Sequence, residues 1–590
     1  MSPASLFAQL LNGLAGASSL FLVAAGLTLI FGVTRVVNFA HGSLYMLGAY
    51  VAWTLIEVLG RGPLGFWGAV ALAALAVAAL GALIERLLLK RIYAAPELLQ
   101  LAATFGIVLV VRDVALYVWG PEDLLGPRAA GFAGAVDVFG RAVPTYDFVL
   151  LALGPLVLLT LWVLVNRTRF GILIRAATEN RTLAGALGID EGRLFTAVFA
   201  LGAFLAGLAG ALRLPDEPAN LGMDLSVIAE AFVVTVVGGL GSIGGAFVAA
   251  LIIGLTRALC IALGTVDVAG IAVAFPKLTL VAEFVVMAVV LAVRPYGLLG
   301  LPPAAPSTTP TAEFRELVVP PGRRALLGAL AAAALAALLP FAGDDYALVL
   351  ATDILVLALF AASLQFLMGT GGLASFGHAA YFGLGAYGAA LAVRHGAPME
   401  IALVAAPLLA LGGALLFGWF CVRLSGVYLA MLTLAFAQIV WSIAFQWDTV
   451  TGGSNGVVGV WPAAWLASRR GYYWFTLALC GGALFAIAWI AHAPFGYALR
   501  ASRDSPLRAE AQGIDVRGIQ WAAFAAAGTF AGLAGGLYAF SKGSISPETL
   551  AIPRSVDALV MVLLGGLNAL AGPLLGAAAF TWLSDTLARA

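Results

Sequence analysis

Long apolar runs, broken by short polar stretches, organise the chain. They lie at about 7–34, 40–59, 64–90, 98–119, 147–166, 194–212, 227–264 and 275–293. A second series lies at about 325–341, 346–368, 374–394, 400–422, 427–446, 471–492, 518–540 and 556–588. One helical crossing of a bilayer takes about 20 apolar residues, so the pattern predicts an all-α polytopic membrane protein with about eight transmembrane segments in each series. Runs 227–264 and 556–588 are too long for one span and carry glycines in their middles. Each predicts two half-length or tilted helices meeting at a glycine break. Between the series, "LPPAAPSTTPTAEFRELVVPPGRR" (301–324) is rich in proline and polar residues. It predicts a linker joining a first half, 1–300, to a second, 325–590.

The two halves share their wording. "NFAHGSLYMLGAY" (38–50) matches "SFGHAAYFGLGAY" (375–387), aligning His41 with His378, two of only four histidines. "FGILIRAATENRTLAGALGID" (170–190) matches "FGYALRASRDSPLRAEAQGID" (495–515), "AGLAG" (206–210) recurs at 531–535, and "VVGGLGSIGG" (236–245) matches "LLGGLNALAG" (563–572). The phrases keep their order, which marks an internal duplication.

Charge sets the orientation. No basic residue precedes the first apolar run, and Arg35 follows it. A secretory leader needs a basic start, so none is expected, and the N-terminus is expected outside. Loops 166–193 and 494–517 and the linker, all arginine-rich, then fall on the cytoplasmic side if 227–264 crosses twice. Stretch 120–146, with Glu122, Asp123 and Asp137, falls outside. The repeats are therefore expected to be parallel, related by a pseudo-two-fold axis along the membrane normal.

Composition agrees with a membrane protein: 62% of residues are hydrophobic and 10% charged, against about 25% charged in a soluble domain. A net charge of +1 argues against a nucleic-acid partner. Cys260, Cys421 and Cys480 all sit in apolar runs, without metal spacing or a disulfide framework. Lys90, Lys277 and Lys542, the only lysines, do not stand in a phosphate-binding loop pattern, so the chain is expected to be no ATPase.

The duplicated polar loops carry the most specific chemistry. Each holds helix-forming residues with an arginine and a carboxylate (Arg175 and Glu179, Arg500 and Asp504), a matched alanine (Ala184, Ala509) and a glycine suited to end a short helix (Gly188, Gly513). A short helix offered twice on one face suits two copies of a soluble partner, whereas an ordinary positive-inside loop would only fix orientation.

The sequence resembles the permease family of branched-chain amino acid ATP-binding cassette importers. "VVNFAHGSLYMLGAY" is similar to the signature of one permease subunit. "GGLASFGHAAYFGLGAY", "RLSGVYLAMLTLAFAQI" (423–439) and "TGGSNG" (451–456) are similar to the other, and "RPYGLLG" (294–300) resembles a family C-terminal ending. The two subunits, usually separate chains, look fused. The resemblance implies a permease of the bacterial cytoplasmic (inner) membrane. Its partners would be two cytoplasmic ATP-binding subunits, which bind the ATP and magnesium, and an external substrate-binding protein. The chain itself would meet membrane lipid and bind no cofactor. The loops around Glu179–Gly188 and Asp504–Gly513 would be the coupling loops. Two departures stand out: Asn568 replaces the family's last break glycine, and the second half stops without an equivalent of 275–300.

Polar residues within the apolar runs are few. Asn38 and His41, with Ser375 and His378 in the second half, either fix helix contacts near the central axis or line a translocation path. Glu230 and Asp557, each eight residues before a Gly-Gly pair, either cap helix starts or line an outer gate. A carrier or channel working alone, with these two carboxylates coupling ions, is the competing expectation.

Overall fold

The computed structural model describes residues 3–93, 95, 97–179, 181–268, 271–300, 322–342, 344–567, 569 and 571–589. The chain divides into two compact units, Met1–Pro302 and Pro303–Ala590. The expected linker lies outside the described residues except for its last three positions, and Asn568 lies outside them too.

The first unit contains α1 (Pro3–Thr34), α2 (Ala40–Leu59), α3 (Pro63–Ile84), α4 (Glu97–Trp119), α5 (Thr145–Arg167), α6 (Arg169–Glu179), α7 (Arg181–Ala186), α8 (Glu191–Arg213), α9 (Met223–Gly238), α10 (Ile243–Leu263) and α11 (Thr279–Val293). The second contains α12 (Arg323–Ala342), α13 (Asp345–Gln365), α14 (His378–Arg394), α15 (Met399–Cys421), α16 (Gly426–Gln446), α17 (Arg469–His492), α18 (Pro494–Asp504), α19 (Pro506–Ala511), α20 (Val516–Lys542), α21 (Ile552–Gly565) and α22 (Gly572–Arg589). Helices α1–α10 and α13–α22 follow the same order, so the duplication read from the sequence is a duplication of structure. Among the described residues, 13 helices are long and apolar enough to cross a membrane. The protein is an all-α polytopic membrane protein. Its only sheets among the described residues are two-stranded, such as the hairpin of β1 (Ala135–Val138) and β2 (Arg141–Pro144).

Both long runs break as the glycines predicted, α9 from α10 and α21 from α22. The breaks are tight. A side chain on Gly238 would strike the backbone of Gly245, and one on Gly565 would strike Gly572. A helix end leaves its last carbonyls without intrahelical partners. In the first unit the "RPYGLLG" segment supplies them: Leu298 N donates to Val237 O at 2.8 Å and Leu299 N to Gly238 O at 3.0 Å.

Small residues decide how the central helices meet. Gly48 on α2 faces Gly207 on α8, and Gly385 on α14 faces Gly532 on α20, in both cases so closely that a Cβ would collide with the opposing backbone. The duplicated Gly-Ala pairs and "AGLAG" stretches are thus the two sides of one contact, made once in each unit. Backbone-to-backbone approach of this kind gives helices in lipid the dispersion contact that hydrophobicity cannot supply there.

Candidate functional site

The two polar loops fold alike. α6 and α18 have 11 residues each, and α7 and α19 have six each. Gly188 (φ +84°) and Gly513 (φ +83°) then turn the chain through the left-handed region, which costs glycine nothing and other residues about 1 kcal/mol or more. After each glycine an isoleucine amide returns to the helix: Ile189 N donates to Ala184 O at 3.2 Å and Ile514 N to Ala509 O at 3.1 Å. Next, an aspartate caps the following span, Asp190 Oδ1 accepting from Arg193 N and Asp515 Oδ1 from Gly518 N, both at 3.1 Å. Each letter of the repeated Gly-Ile-Asp therefore has a job: stop, fold back, start. Ala184 and Ala509 are both 2% exposed, so they seat the short helices against the rest of the unit.

Both loops pack beneath a matched helix end. In the first unit, Ile174, Ala177 and Ala184 join Leu29 and Val33 of α1 in one apolar cluster. In the second, the Arg503 guanidinium donates to Gly369 O just beyond α13, and its stem lies over Gly372. Arg503 also pairs with Asp504 at 2.9 Å. The matched arginines differ: Arg175 donates to Val165 O near the end of α5, while Arg500 lies over the Tyr497 ring. Glu179 and Asp504 are exposed, and so are Leu187 and Leu507 in the same loops. The sequence assigned neither Arg503 nor these leucines a role in coupling.

The histidine phrase sits deep inside each unit. Arg35 (φ +57°) follows α1, and the matched position after α13 is Gly372 (φ +67°). The chain then re-enters the fold through Val36–Phe39, all buried and not helical. His41 Nε2 meets Val23 O at 3.0 Å, 11 residues before Thr34. That is about 16 Å from the end of α1 at 1.5 Å per residue, so α2 begins within the protein. A carbonyl only accepts, so Nε2 carries the hydrogen. His378 Nε2 meets Ser363 Oγ at 2.8 Å, and that hydroxyl donates to Phe360 O at 2.7 Å. With its one hydrogen committed, Oγ accepts, and His378 also carries its hydrogen on Nε2. Both rings are fully buried, and the Nδ1 of each has no partner. In the register set by the two histidines, Ser363 matches Gly26, where an added Cβ would run into the His41 ring.

Asn38 accepts from Ala40 N at 3.1 Å and so helps to start α2. Ser375, its match, leaves its hydroxyl unpaired, and α14 is started from elsewhere: Thr433 Oγ1 accepts from Phe376 N and Ser555 Oγ from Ala379 N.

Glu230 and Asp557 lie too far along α9 and α21 to cap them, which corrects that expectation. Glu230 pairs with Arg257 of α10 at 2.9 Å, and Arg257 also pairs with the buried Glu283 of α11. Asp557 pairs with Arg554 at 3.5 Å. Asp353 pairs with Lys542 at 2.7 Å. The cap reading failed because a carboxylate's partner on another helix leaves no mark in local sequence.

Comparison with known proteins places this geometry. The family model described as branched-chain amino acid transport system / permease component matches twice, at residues 9–293 and 346–589. The permease protein LivH of Escherichia coli K12 is 30% identical over 315 residues, covering 50% of this chain and 95% of LivH. LivH of Salmonella typhimurium is 29% identical over the same length, with the same coverage. The permease protein LivM of Escherichia coli K12 is 29% identical over 248 residues, 37% of this chain and 58% of LivM. LivH and LivM match different halves. No solved structure matches.

Proposed function

Because the chain belongs to the family of branched-chain amino acid transport permease components, and carries that unit twice, we propose that it is a membrane part of an ATP-driven importer. Two cytoplasmic ATP-binding subunits dock on α6–α7 and α18–α19, and an external binding protein delivers branched-chain amino acids or related small molecules. ATP and magnesium stay on the partner subunits, and the chain resides in the bacterial cytoplasmic membrane. The observation that carries this reading is the paired loop, built to one plan and packed under the same helix end in each unit. Each loop exposes a carboxylate and an apolar residue: Glu179 and Leu187 in one, Asp504 and Leu507 in the other. A carrier working alone has no use for such a device. Its candidate coupling carboxylates, Glu230 and Asp557, are each held by an arginine.

Reconstitution with the two ATPases tests the reading. Glu179→Lys should weaken ATPase co-purification and ATP-driven leucine uptake by at least about tenfold, since lost complementarity at a contact costs a few kcal/mol. Asp504→Lys should act less, because Arg503 already screens that carboxylate. Full uptake and co-purification in the double variant would remove the docking assignment.

A further inference from the structure

In the second unit a line of contacts runs from the surface of the polar loop to the glycine break. It starts at the exposed Asp504, whose Oδ1 accepts from Arg503 Nε at 2.9 Å. The Nη1 of the same guanidinium donates to Gly369 O. Gly369 belongs to a π-helical turn, Phe366–Thr370, that continues α13. A helix end leaves carbonyls to be satisfied from outside. Here the amides of Gly371, Leu373 and Gly372 donate to the carbonyls of Phe366, Leu367 and Met368, and Arg503 takes that of Gly369. On its other side Gly369 is pressed against Leu567 O, in the break between α21 and α22, so closely that a Cβ would collide with it. Gln365, one turn earlier and 2% exposed, donates from Nε2 to the same carbonyl at 2.8 Å. From Asp504 to Leu567, each link is a hydrogen bond or a close backbone contact, with little slack to absorb a movement.

The first unit makes the same junction without the charges. The position matched to Arg503 is Thr178, whose hydroxyl donates within its own helix, to Arg175 O. Ile174, Ala177 and Ala184 of that loop pack on Leu29 and Val33 of α1. Gly32, matched to Gly369, fits its break more loosely: an added Cβ would meet Gly241 Cα at 3.2 Å. From this difference we infer that Arg503 is a positioning residue for energy coupling. It ties the second loop to the second glycine break, so that a partner's push on the loop moves the break, and the two units are unequally coupled. This rests on the permease reading above. A charge-assisted bond is directional and about twice as strong as a neutral one, whereas apolar contact is non-directional and lets surfaces slide. An arginine that only ended the π-turn would need neither the exposed carboxylate on one side nor the break on the other.

Complexes reconstituted with the two ATPases test the inference through leucine uptake per ATP hydrolysed. Arg503→Met keeps an apolar stem over Gly372 and removes the donors. It should retain ATPase co-purification and ATP hydrolysis, yet lose at least about fivefold in uptake per ATP, the low end of coupling between distant sites. Arg503→Lys, with one nitrogen in place of a fork, should recover part of the ratio. Gln365→Leu, buried away from the loop surface, should uncouple as Arg503→Met does, because it releases Leu567. Thr178→Val should keep the wild-type ratio. A cysteine at the exposed Ala569, in a background lacking the three native cysteines, reports on the break directly. Its rate of maleimide labelling should change on addition of ATP in the wild-type complex and stay constant in Arg503→Met. An unchanged ratio in Arg503→Met or Gln365→Leu, even with a lowered melting temperature, would overturn the inference and leave the permease reading standing. So would an equal loss in Thr178→Val, or ATP-dependent labelling that survives in Arg503→Met. A wild-type complex with no ATP-driven uptake would remove the permease reading and the inference with it.

Discussion

At the residue scale, the two histidines show one problem solved twice. Each ring is buried and must place one N–H, and each does so on the preceding helix. His41 uses a bare carbonyl, whereas His378 uses a serine that relays to one. Because Ser363 and His378 are both side chains, their bond is measurable. A double-mutant cycle of Ser363→Ala and His378→Ala, followed by unfolding in detergent, should return a coupling of about 0.6–1.7 kcal/mol, the range for such bonds within membranes. Strictly additive losses would show that no bond forms. The duplicated histidine was plain in the sequence; its partners were not. A backbone carbonyl has no letter, and Ser363 lies 15 positions upstream in an ordinary apolar run. The same holds for Arg257, whose carboxylates come from helices before and after it in the chain.

Elements were far more legible than contacts. Apolar runs of spanning length became helices, both glycine-rich runs broke where expected, and Gly-Ile-Asp marked the end of each short polar helix. Those features rest on local chemistry, namely length, backbone freedom and capping, so local sequence carries them. Which helix meets which is set by shape, and only the small residues betrayed it. That contact gives a sharp test. Gly48→Leu and Gly385→Leu each drive a branched side chain into a facing glycine backbone. Each should cost about 3 kcal/mol or more, at or beyond the upper end of ordinary overpacking, and lower the yield of monodisperse protein. Gly68→Leu, whose added side chain meets no such backbone, should leave yield and melting temperature unchanged. Equal yields for all three variants would mean that α2–α8 and α14–α20 do not meet through these glycines.

For the whole molecule, orientation is the decisive property. The arginine-rich loops are expected on one side of the membrane, and the β1–β2 hairpin, with exposed Phe139 at its turn, on the other. Single cysteines at Leu187 and Leu507, both largely exposed, should react only with reagent supplied from the cytoplasmic side, in a background lacking Cys260, Cys421 and Cys480. A cysteine at Phe139 should react only from outside. Labelling of Leu187 and Leu507 from opposite faces would make the repeat inverted and would leave two ATPases nowhere to sit together.

The left-handed turn after α1 has a consequence for how such a duplicated gene can drift. Its second copy uses Gly372, and its first tolerates Arg35 at φ +57°. A non-glycine residue held there costs about 1–2 kcal/mol, yet Arg35 is exposed, so its side chain has little packing to lose. Arg35→Gly should therefore raise the melting temperature of the whole chain, and Gly372→Arg should lower it more steeply, because the stem of Arg503 already fills the space above. Each copy thus preserves, inside the same polypeptide, a working variant of the other. Ancestral and derived states can be compared at matched positions without leaving the molecule.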